Sequence, residues 1–259
     1  GVYVLQLTAD DGQVKTFDRV TVTSTLPVVT IAATDASAAE LGLDAAQFTV
    51  TRTGGSGNNL TVSYTVAGTA TNGTDYIALT GTITLPNGSA TATIDITPLT
   101  DALAEGPESV IVTLTASANY ALGAQAQATA TIADLPVDAW RFAKFGANAN
   151  DPSIAGDLAN FDGDEFCTLL EYILGTDPLL PSANTLVVAW NGAECTLTYP
   201  RALAATDVTI VVEWSDDLIG WNFTGITDIE VSNNTTIATR RATVTPPGGK
   251  CWMRLRATR

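Results

Sequence analysis

The sequence contains no histidine. This absence excludes nucleophiles activated by a histidine base, proton transfer by imidazole near neutral pH, and histidine ligands to a metal. Paired carboxylates could still support chemistry, as they do in glycosidases. The acids that have a recognisable setting here, however, lie in patterns typical of turns or metal ligands. We therefore expect a protein that is not an enzyme.

Basic residues are also scarce. There are 12 lysines and arginines against 27 aspartates and glutamates, for a net charge of −15, and the sequence pI is near 4.1. Such a chain repels phosphate backbones and anionic lipid, and no apolar run approaches the roughly 18 residues of a membrane helix. We expect no nucleic-acid partner and no membrane insertion, and cations are the natural partners.

Cysteine is limited to Cys167, Cys195 and Cys251. Three cysteines allow at most one internal disulfide and leave no CxxC zinc site. Cys195 and Cys251 both lie at the starts of predicted strands, where a secreted context would let them pair. Two small buried thiols are the alternative, and the sequence does not decide between them. Cys167 is expected to be a buried apolar residue rather than a reactive thiol.

The composition is nonetheless that of a folded chain, because hydrophobic residues make up 46% and charged residues 15%. A length of 259 residues suits two or three domains. Alternating apolar residues dominate, so the fold class is mostly β, with a β-sandwich, a short helical linker and a second, small β-sandwich. The predicted segments are a terminal hairpin at 1–26, a β domain at 27–136, the linker at 137–182 and a C-terminal β domain at 183–259.

The first segment alternates Tyr3, Leu5 and Leu7, turns at Asp10-Asp11-Gly12 and continues through Val20. This pattern predicts a hairpin, and it resembles the last two strands of a PKD or immunoglobulin-like domain. A lone hairpin is marginal in water, so something should cover its apolar face. The chain opens without a signal-peptide pattern, and we expect it to be a mature or trimmed piece of a longer protein.

The segment at 27–134 contains three diagnostic stretches, Gly68-Thr-Ala-Thr-Asn-Gly-Thr-Asp-Tyr, Gly81-Thr-Ile-Thr-Leu-Pro-Asn-Gly and Asp101-Ala-Leu-Ala-Glu-Gly-Pro-Glu. Together they resemble a Calx-beta domain, which is an immunoglobulin-like sandwich that binds calcium. The resemblance implies the calcium ligands Glu40, Asp75, Asp101, Glu105 and Asp134, with Glu108 beside them. Clustered carboxylates repel one another unless a cation neutralises them. The alternative is that these acids only solvate the loop ends.

A second acidic pattern runs Asn160-Phe-Asp-Gly-Asp-Glu-Phe-Cys-Thr-Leu-Leu-Glu171. Its spacing is that of an EF-hand loop, with the ligand positions taken by Asn160, Asp162, Asp164, the Phe166 carbonyl, Thr168 and Glu171. The segment resembles the calcium loops of dockerin-like repeats. Two departures are Asn160 in place of the leading acid and Glu165 where a glycine normally permits the sharp turn. A calcium-free, hydrogen-bonded loop is the alternative.

The C-terminal segment resembles a β module found at the ends of large secreted bacterial proteins, through Thr196-Leu-Thr-Tyr-Pro-Arg and Val212-Glu-Trp-Ser-Asp-Asp-Leu. It contains four tryptophans, Trp190, Trp214, Trp221 and Trp252. Tryptophans can form a sugar-stacking platform, although alternating strand positions favour packing in the core.

Taken together, these patterns predict an extracellular or cell-surface protein of structural or adhesive function, with calcium as its cofactor. The incomplete hairpin suggests self-association or pairing with neighbouring domains, and head-to-tail pairing would propagate as a filament. An alternative is an accessory region of a secreted hydrolase that binds or anchors polysaccharide.

Overall fold

A computed structural model describes residues 2–23 and 25–259, and the chain forms two compact units. The first unit comprises Gly1–Ala38, Leu43–Leu99 and Glu108–Ile132. The second comprises Ala39–Gly42, Thr100–Pro107 and Ala133–Arg259. The chain is mostly β, as the alternation predicts, and none of its described helices combines the length and apolar character needed to cross a membrane.

The strands up to residue 133 are short and rich in threonine, valine and isoleucine, which suit a pleated, half-buried surface. They are β1 Val2–Asp10, β2 Lys15–Thr23, β3 Val28–Asp35, β4 Ser37–Ala39, β5 Ala46–Thr53, β6 Leu60–Gly68, β7 Thr82–Leu85, β8 Thr91–Ile96, β9 Glu108–Leu114, β10 Ala121–Leu122 and β11 Gln127–Ala133. Alternating apolar residues predict strands at 47–52, 60–66, 82–85, 90–97 and 109–114, and these correspond to β5 to β9.

Strands β3 to β11 form the two sheets of a sandwich, in the orders β10-β3-β5-β8 and β4-β11-β9-β6-β7. Alternate residues of each strand enter the core, such as Phe48 and Val50 of β5, Val62 of β6, and Val110 and Val112 of β9. Each such side chain stabilises the fold by about 1.5–3 kcal/mol through removal from water. The predicted β-sandwich is therefore the fold of this segment.

The buried guanidinium of Arg52 holds two loops together at one end of this sandwich. The alternation of β5 directs Arg52 inward, where it is 4% exposed. Its guanidinium donates to the carbonyls of Asn58 at 2.8 Å, Ser89 at 2.8 Å and Pro86 at 2.7 Å. A planar group with five donors can join two separate loops in this way. The loops at 54–59 and 86–90 are thus tied to β5.

The first two strands form the predicted hairpin, with a continuous register from Val2↔Thr23 to Asp10↔Lys15. Gly12 supplies the left-handed turn residue at φ +86°, and the Asp11 carboxylate accepts from the Val14 amide at 2.7 Å. Every side chain of the hairpin that the structure describes is exposed, Leu7 by 77%. The expected cover over its apolar face is not supplied by the described part of the chain.

The second unit contains two helices and the remaining strands. These are α1 Pro136–Phe145, α2 Thr168–Leu174, β12 Val187–Trp190, β13 Cys195–Ala202, β14 Thr209–Ser215, β15 Thr227–Asn233, β16 Ile237–Val244 and β17 Trp252–Thr258. The pattern Leu169, Leu170, Ile173 and Leu174 followed by Gly175 predicts a helix that ends at the glycine. Helix α2 does end there, and Gly175 takes the left-handed conformation at φ 75°. Helix α1 contains the aromatic residues Trp140, Phe142 and Phe145, whose stretch was not itself predicted to be helical.

The strands of the second unit form a four-stranded sheet, β12-β13-β16-β15, and a two-stranded sheet, β14-β17. Leu197 and Tyr199 of β13, Val212 of β14 and Leu255 of β17 share one apolar core. This arrangement is the second, small β-sandwich that the sequence predicts.

The tryptophans of this sandwich do not fill its core, so the expectation of core packing is wrong for them. Trp190 and Trp252 are exposed, and Trp214 and Trp221 are half-buried. The indole of Trp214 donates to the Thr224 carbonyl at 3.0 Å. Trp190 and Trp252 lie at the outward positions of their strands, and smaller apolar residues take the inward positions.

Replacing Arg52 tests how much the loop contacts stabilise the sandwich. Arg52→Met removes the guanidinium that donates to the carbonyls of Asn58, Ser89 and Pro86, and we expect a loss of about 2–4 kcal/mol in the free energy of unfolding. Chemical denaturation measures it. Arg241→Met is the control, because Arg241 is exposed on β16 and its loss should cost less than about 0.5 kcal/mol. Equal effects of the two substitutions would contradict the account.

Candidate metal centre

The EF-hand-like loop of the second unit has an ordered backbone built from its own polar side chains. The Asn160 carbonyl oxygen accepts from the Gly163 amide at 2.8 Å, and its amide donates to the Asp164 carbonyl at 2.6 Å. The Asp162 carboxylate accepts from the Asp164 amide at 3.1 Å. Asparagine and aspartate favour such local turns because their side chains reach nearby amides.

The sharp turn of the loop lies at Gly163, which has φ +79°. Glu165 occupies the position where the sequence pattern normally has glycine, yet it is absent from the residues with positive φ. Its side chain accepts from the Asn184 amide at 2.6 Å. The loop therefore turns two residues earlier than the pattern suggests, and Glu165 causes no backbone strain.

Three carboxylates converge inside this turn. Oxygens of Asp162, Asp164 and Glu171 all lie within 4.8 Å of one another. Glu171 is 0% exposed, and among the described residues no donor meets hydrogen-bond geometry at either of its carboxylate oxygens. The Thr176 hydroxyl lies near enough to lower the pKa of Glu171, but less than burial and the neighbouring carboxylates raise it. One oxygen of Asp162 is likewise buried without a partner. A buried charge left uncompensated in this way is strongly destabilising.

The electrostatics of Glu171 follow from that position. Burial, followed by the neighbouring charges of Asp162 and Asp164, raises the pKa of Glu171 to about 7. For Asp164 burial acts in the same sense, but hydrogen bonds from the Phe166 amide and from Ser182 outweigh it and lower its pKa. At this site Asp164 is ionised. Among the described residues, no lysine or arginine side chain pairs with Glu171.

Local structure places each of these side chains. Helix α2 begins at Thr168, whose hydroxyl donates to the Ala159 carbonyl at 3.0 Å, and Glu171 follows in its first turn. Ser182, beyond the helix, donates to Asp164 from its amide at 2.9 Å and from its hydroxyl at 2.8 Å. Both ends of α2 are therefore connected to the acidic turn.

The other predicted ligands of the loop have structural contacts of their own. Asn160 and Thr168 are held by the hydrogen bonds described above, and Phe166 has a buried ring and donates its amide to Asp164 at 2.6 Å. Cys167, expected to be buried, is half-buried and directly precedes α2. The structure thus brings together the three carboxylates of the predicted set.

The acids implied by the Calx-beta resemblance divide between the two units. In the second unit Glu40 is buried, and burial followed by the charges of Asp101 and Asp134 raises its pKa to about 7. Asp134 accepts from the amides of Glu105 at 3.0 Å and Gly106 at 2.8 Å, although burial still raises its pKa. Glu40, Asp101 and Asp134 are therefore close enough to repel one another.

The remaining two acids of that set belong to the first unit. Asp75 is buried and accepts from the Thr71 amide at 2.5 Å, and Glu108 begins β9. The ring of Tyr76 is buried, and the pKa of Tyr76 is raised first by burial and then by the charges of Asp75 and Glu108. Within the first unit, Asp75 and Glu108 therefore both lie near Tyr76.

Sequence reasoning missed two buried acids: Glu213, which pairs with Arg254 and Arg256, and Asp138. Asp138 lies in the first turn of α1 and is 1% exposed. Arg141 and Arg259 both pair with its carboxylate, so its charge is balanced within the chain. The spacing of Asp138 and Arg141, three residues apart on a helix, was a signal for this pair, whereas the contact with Arg259 had no local signal.

Neutralising Glu171 tests whether its buried charge is uncompensated. In chelator at pH 8, Glu171→Gln should raise the free energy of unfolding by about 1 kcal/mol and the melting temperature by about 2–4 °C, because the uncharged amide is less costly to bury. Differential scanning calorimetry measures both. Glu165→Gln is the control, since that exposed carboxylate bonds to Asn184. A clear loss of stability in Glu171→Gln would contradict this description of the site.

Comparison with known proteins found one family model that matches part of the chain. Residues 25–136 match the model of the Calx-beta domain. A search of curated proteins found no match. The match does not extend to the hairpin or to the acidic loop, so their resemblances remain predictions.

Several solved structures are similar to the chain. The apo form of the Calx CBD1 domain is 23% identical with a TM-score of 0.36, over 42% of this chain and 98% of that one. The calcium binding domain CBD12 of CALX1.1 is 14% identical with a TM-score of 0.39, over 88% of this chain and 79% of that one. Domains 4–9 of the surface layer protein SbsC are 13% identical with a TM-score of 0.25, over 98% and 33%. Residues 25–136 are thus similar to the Calx-beta domain family.

Proposed function

We propose that this chain is a non-catalytic, calcium-binding structural module whose main ion site is the turn formed by Asp162, Asp164 and Glu171. The observation that carries the proposal is the Glu171 carboxylate, which is fully buried with both oxygens unpartnered among the described residues and close to two further carboxylates. A divalent cation removes the cost of that arrangement, because it supplies the missing positive charge and bonds to the oxygens.

The chemistry of the donors favours calcium over softer metals. All donors in the turn are oxygens, and hard cations such as Ca²⁺ prefer six to eight of them. Glu171 can supply two oxygens, and Asp162 and Asp164 supply at least one each. Backbone carbonyls of the loop and water would complete the shell, with the predicted Phe166 carbonyl among them.

A second calcium position is supported by the Calx-beta match and by the repulsion among Glu40, Asp101 and Asp134. These acids have described contacts with backbone amides, and burial together with mutual charge raises the pKa values of Glu40 and Asp134. A bound cation would offset the repulsion among these three carboxylates. The two positions are independent proposals, because they use different residues.

Calcium at the first site would also stiffen the linker. The ion would connect the loop before α2 to Glu171 inside it, while Ser182 beyond α2 already bonds Asp164. Ligands that bind only the folded state stabilise it. The proposed role of calcium is therefore to hold the linker in one conformation, as suits an extracellular or cell-surface protein that transmits force or spaces its neighbours.

The finer proposal of self-assembly is supported by the hairpin. Tyr3, Leu5 and Val20 are exposed apolar residues of a two-stranded sheet, and open strand edges favour pairing with another chain. A hairpin that completes a sheet of the next copy makes a contact that does not close on itself, so it would extend into a filament. Adhesion would follow from such an assembly.

An accessory, polysaccharide-binding region is the alternative, and the exposed tryptophans favour it. Trp190 and Trp252 are both exposed on the C-terminal sandwich, where aromatic faces can stack on sugars. Depletion of the chain from solution by an insoluble polysaccharide, abolished in Trp190→Ala, would support this alternative. Retention of the chain in solution with every polysaccharide tested would reject it.

Calcium titration tests the main proposal. At calcium about 100-fold above its Kd, binding adds about 2.7 kcal/mol, and we expect the melting temperature of the wild-type chain to rise by about 5–10 °C over that in chelator. Glu171→Gln should lose most of this rise, whereas Glu165→Gln should retain it. An equal rise in the wild type and Glu171→Gln would contradict the assignment of the site.

Calcium titration of variants also tests the second proposed calcium position, near Glu40. Glu40→Gln should leave the calcium response of the acidic loop in place and remove only the part that depends on Glu40. Isothermal titration calorimetry of Glu40→Gln, Glu171→Gln and the double variant gives the number of ions lost in each. If Glu40→Gln binds as many ions as the wild type, the proposal for the second position fails.

Sedimentation velocity tests the assembly. We expect wild-type oligomers to grow with concentration and to disappear in the cross-strand pair variant Leu5→Lys/Val20→Lys. Gln6→Lys is the control, because Gln6 lies on the opposite face of β1. A chain that stays monomeric at every concentration would reject the filament, and oligomers that survive the paired substitution would reject the hairpin as their contact.

A further inference from the structure

Two cysteines of the C-terminal sandwich occupy facing positions in its core layer. Cys195, Leu197 and Tyr199 alternate along β13 and are all buried. Cys251 directly precedes β17, and the same alternation places it on the side of Met253 and Leu255. Because β13 contacts β17 and their residues share one apolar core, both cysteines lie between the two sheets at the starts of their strands.

Both cysteines are free thiols in this structure, and they lie near each other. Burial, followed by the neighbouring Cys195 thiol, raises the pKa of Cys251 to about 12. The Cys251 sulfur also lies 3.9 Å from the Trp252 carbonyl oxygen. Cys195 is 1% exposed and Cys251 is half-buried. The pair is therefore held together by the packing of the two sheets.

We propose that Cys195 and Cys251 form a disulfide that cross-links the four-stranded sheet to the two-stranded sheet of the C-terminal sandwich. Oxidation requires an acceptor, for which a small-molecule disulfide such as oxidised glutathione suffices. One cysteine thiolate attacks that disulfide and releases one reduced glutathione, and the second thiolate displaces the other glutathione from the mixed disulfide. In total two protein thiols become one disulfide, and one oxidised glutathione becomes two reduced ones.

The cross-link has a physical role in this fold. A two-stranded sheet is marginal alone in water, and β14-β17 is a separate sheet whose Val212 and Leu255 pack against the four-stranded sheet. The bond would close a loop that contains β14, β15 and β16. Closing a loop of this size restricts the unfolded chain and thereby stabilises the folded one.

The position of the pair also predicts slow chemistry. Thiolate is the reactive form of cysteine, and burial keeps Cys251 protonated near neutral pH. Oxidation should therefore be slow at pH 7 and faster at pH 9, while Cys167, which lies outside this contact at the start of α2, remains a thiol. Once formed, the buried bond should resist mild reductant.

Peptide mapping of the full chain tests the proposal. After incubation of the reduced protein with oxidised glutathione at pH 9, we expect a linked peptide containing Cys195 and Cys251, about 2 Da lighter than its two thiol peptides together, and alkylation of Cys167 alone. The melting temperature should exceed that of the reduced chain by about 5–10 °C. A disulfide that involves Cys167, or three alkylated cysteines after oxidation, would overturn the proposal.

Two variants keep the test independent of folding defects. Cys251→Ser should melt at the same temperature with and without reductant, because the half-buried position tolerates a small side chain and no bond can form. Cys167→Ser should keep the full redox-dependent shift of the wild type. A redox-dependent shift that persists in Cys251→Ser, or that disappears in Cys167→Ser, would contradict the assignment.

Discussion

The organisation of the linker depends on one buried carboxylate. Glu171 lies inside α2 with no described partner for either oxygen, although every other buried side-chain charge of the second unit discussed above has a donor. Asp138 has two arginines, and Asp134 has two backbone amides. Since an isolated buried charge costs far more than a hydrogen bond returns, the proposed cation would remove the cost of burying Glu171.

The two acidic regions illustrate different ways of arranging negative charge. In the turn, local side-chain contacts of Asn160, Asp162 and Asp164 shape the backbone, so the geometry is encoded within a few residues. Around Glu40, by contrast, the acids come from segments far apart in sequence, and packing brings them together. The geometry of the acidic turn therefore depends little on the rest of the fold, whereas the positions of the acids around Glu40 depend on its packing.

Much of the fold could be predicted because burial imposes alternation. Strand β5, with Ala46, Phe48 and Val50 inward, follows that rule closely. Strand β11 was missed because its alternation of alanine with threonine has little apolar contrast. Strand β15 was missed because nearly all of its side chains are exposed, so no burial pattern exists to detect. The hydrogen bonds of these strands with their neighbours, rather than their own side chains, define them.

The spacing of the site could also be predicted, but its energetics could not. An EF-hand pattern places Asp162, Asp164 and Glu171 together, whereas the turn at Gly163 and the complete burial of Glu171 are results of packing. A crystal structure of the chain grown with calcium tests the central claim most directly. The account predicts an ion bonded to both Glu171 oxygens and to Asp162 and Asp164 at about 2.3–2.6 Å. A Glu171 carboxyl hydrogen-bonded to protein or water, with no ion in the turn, would contradict it.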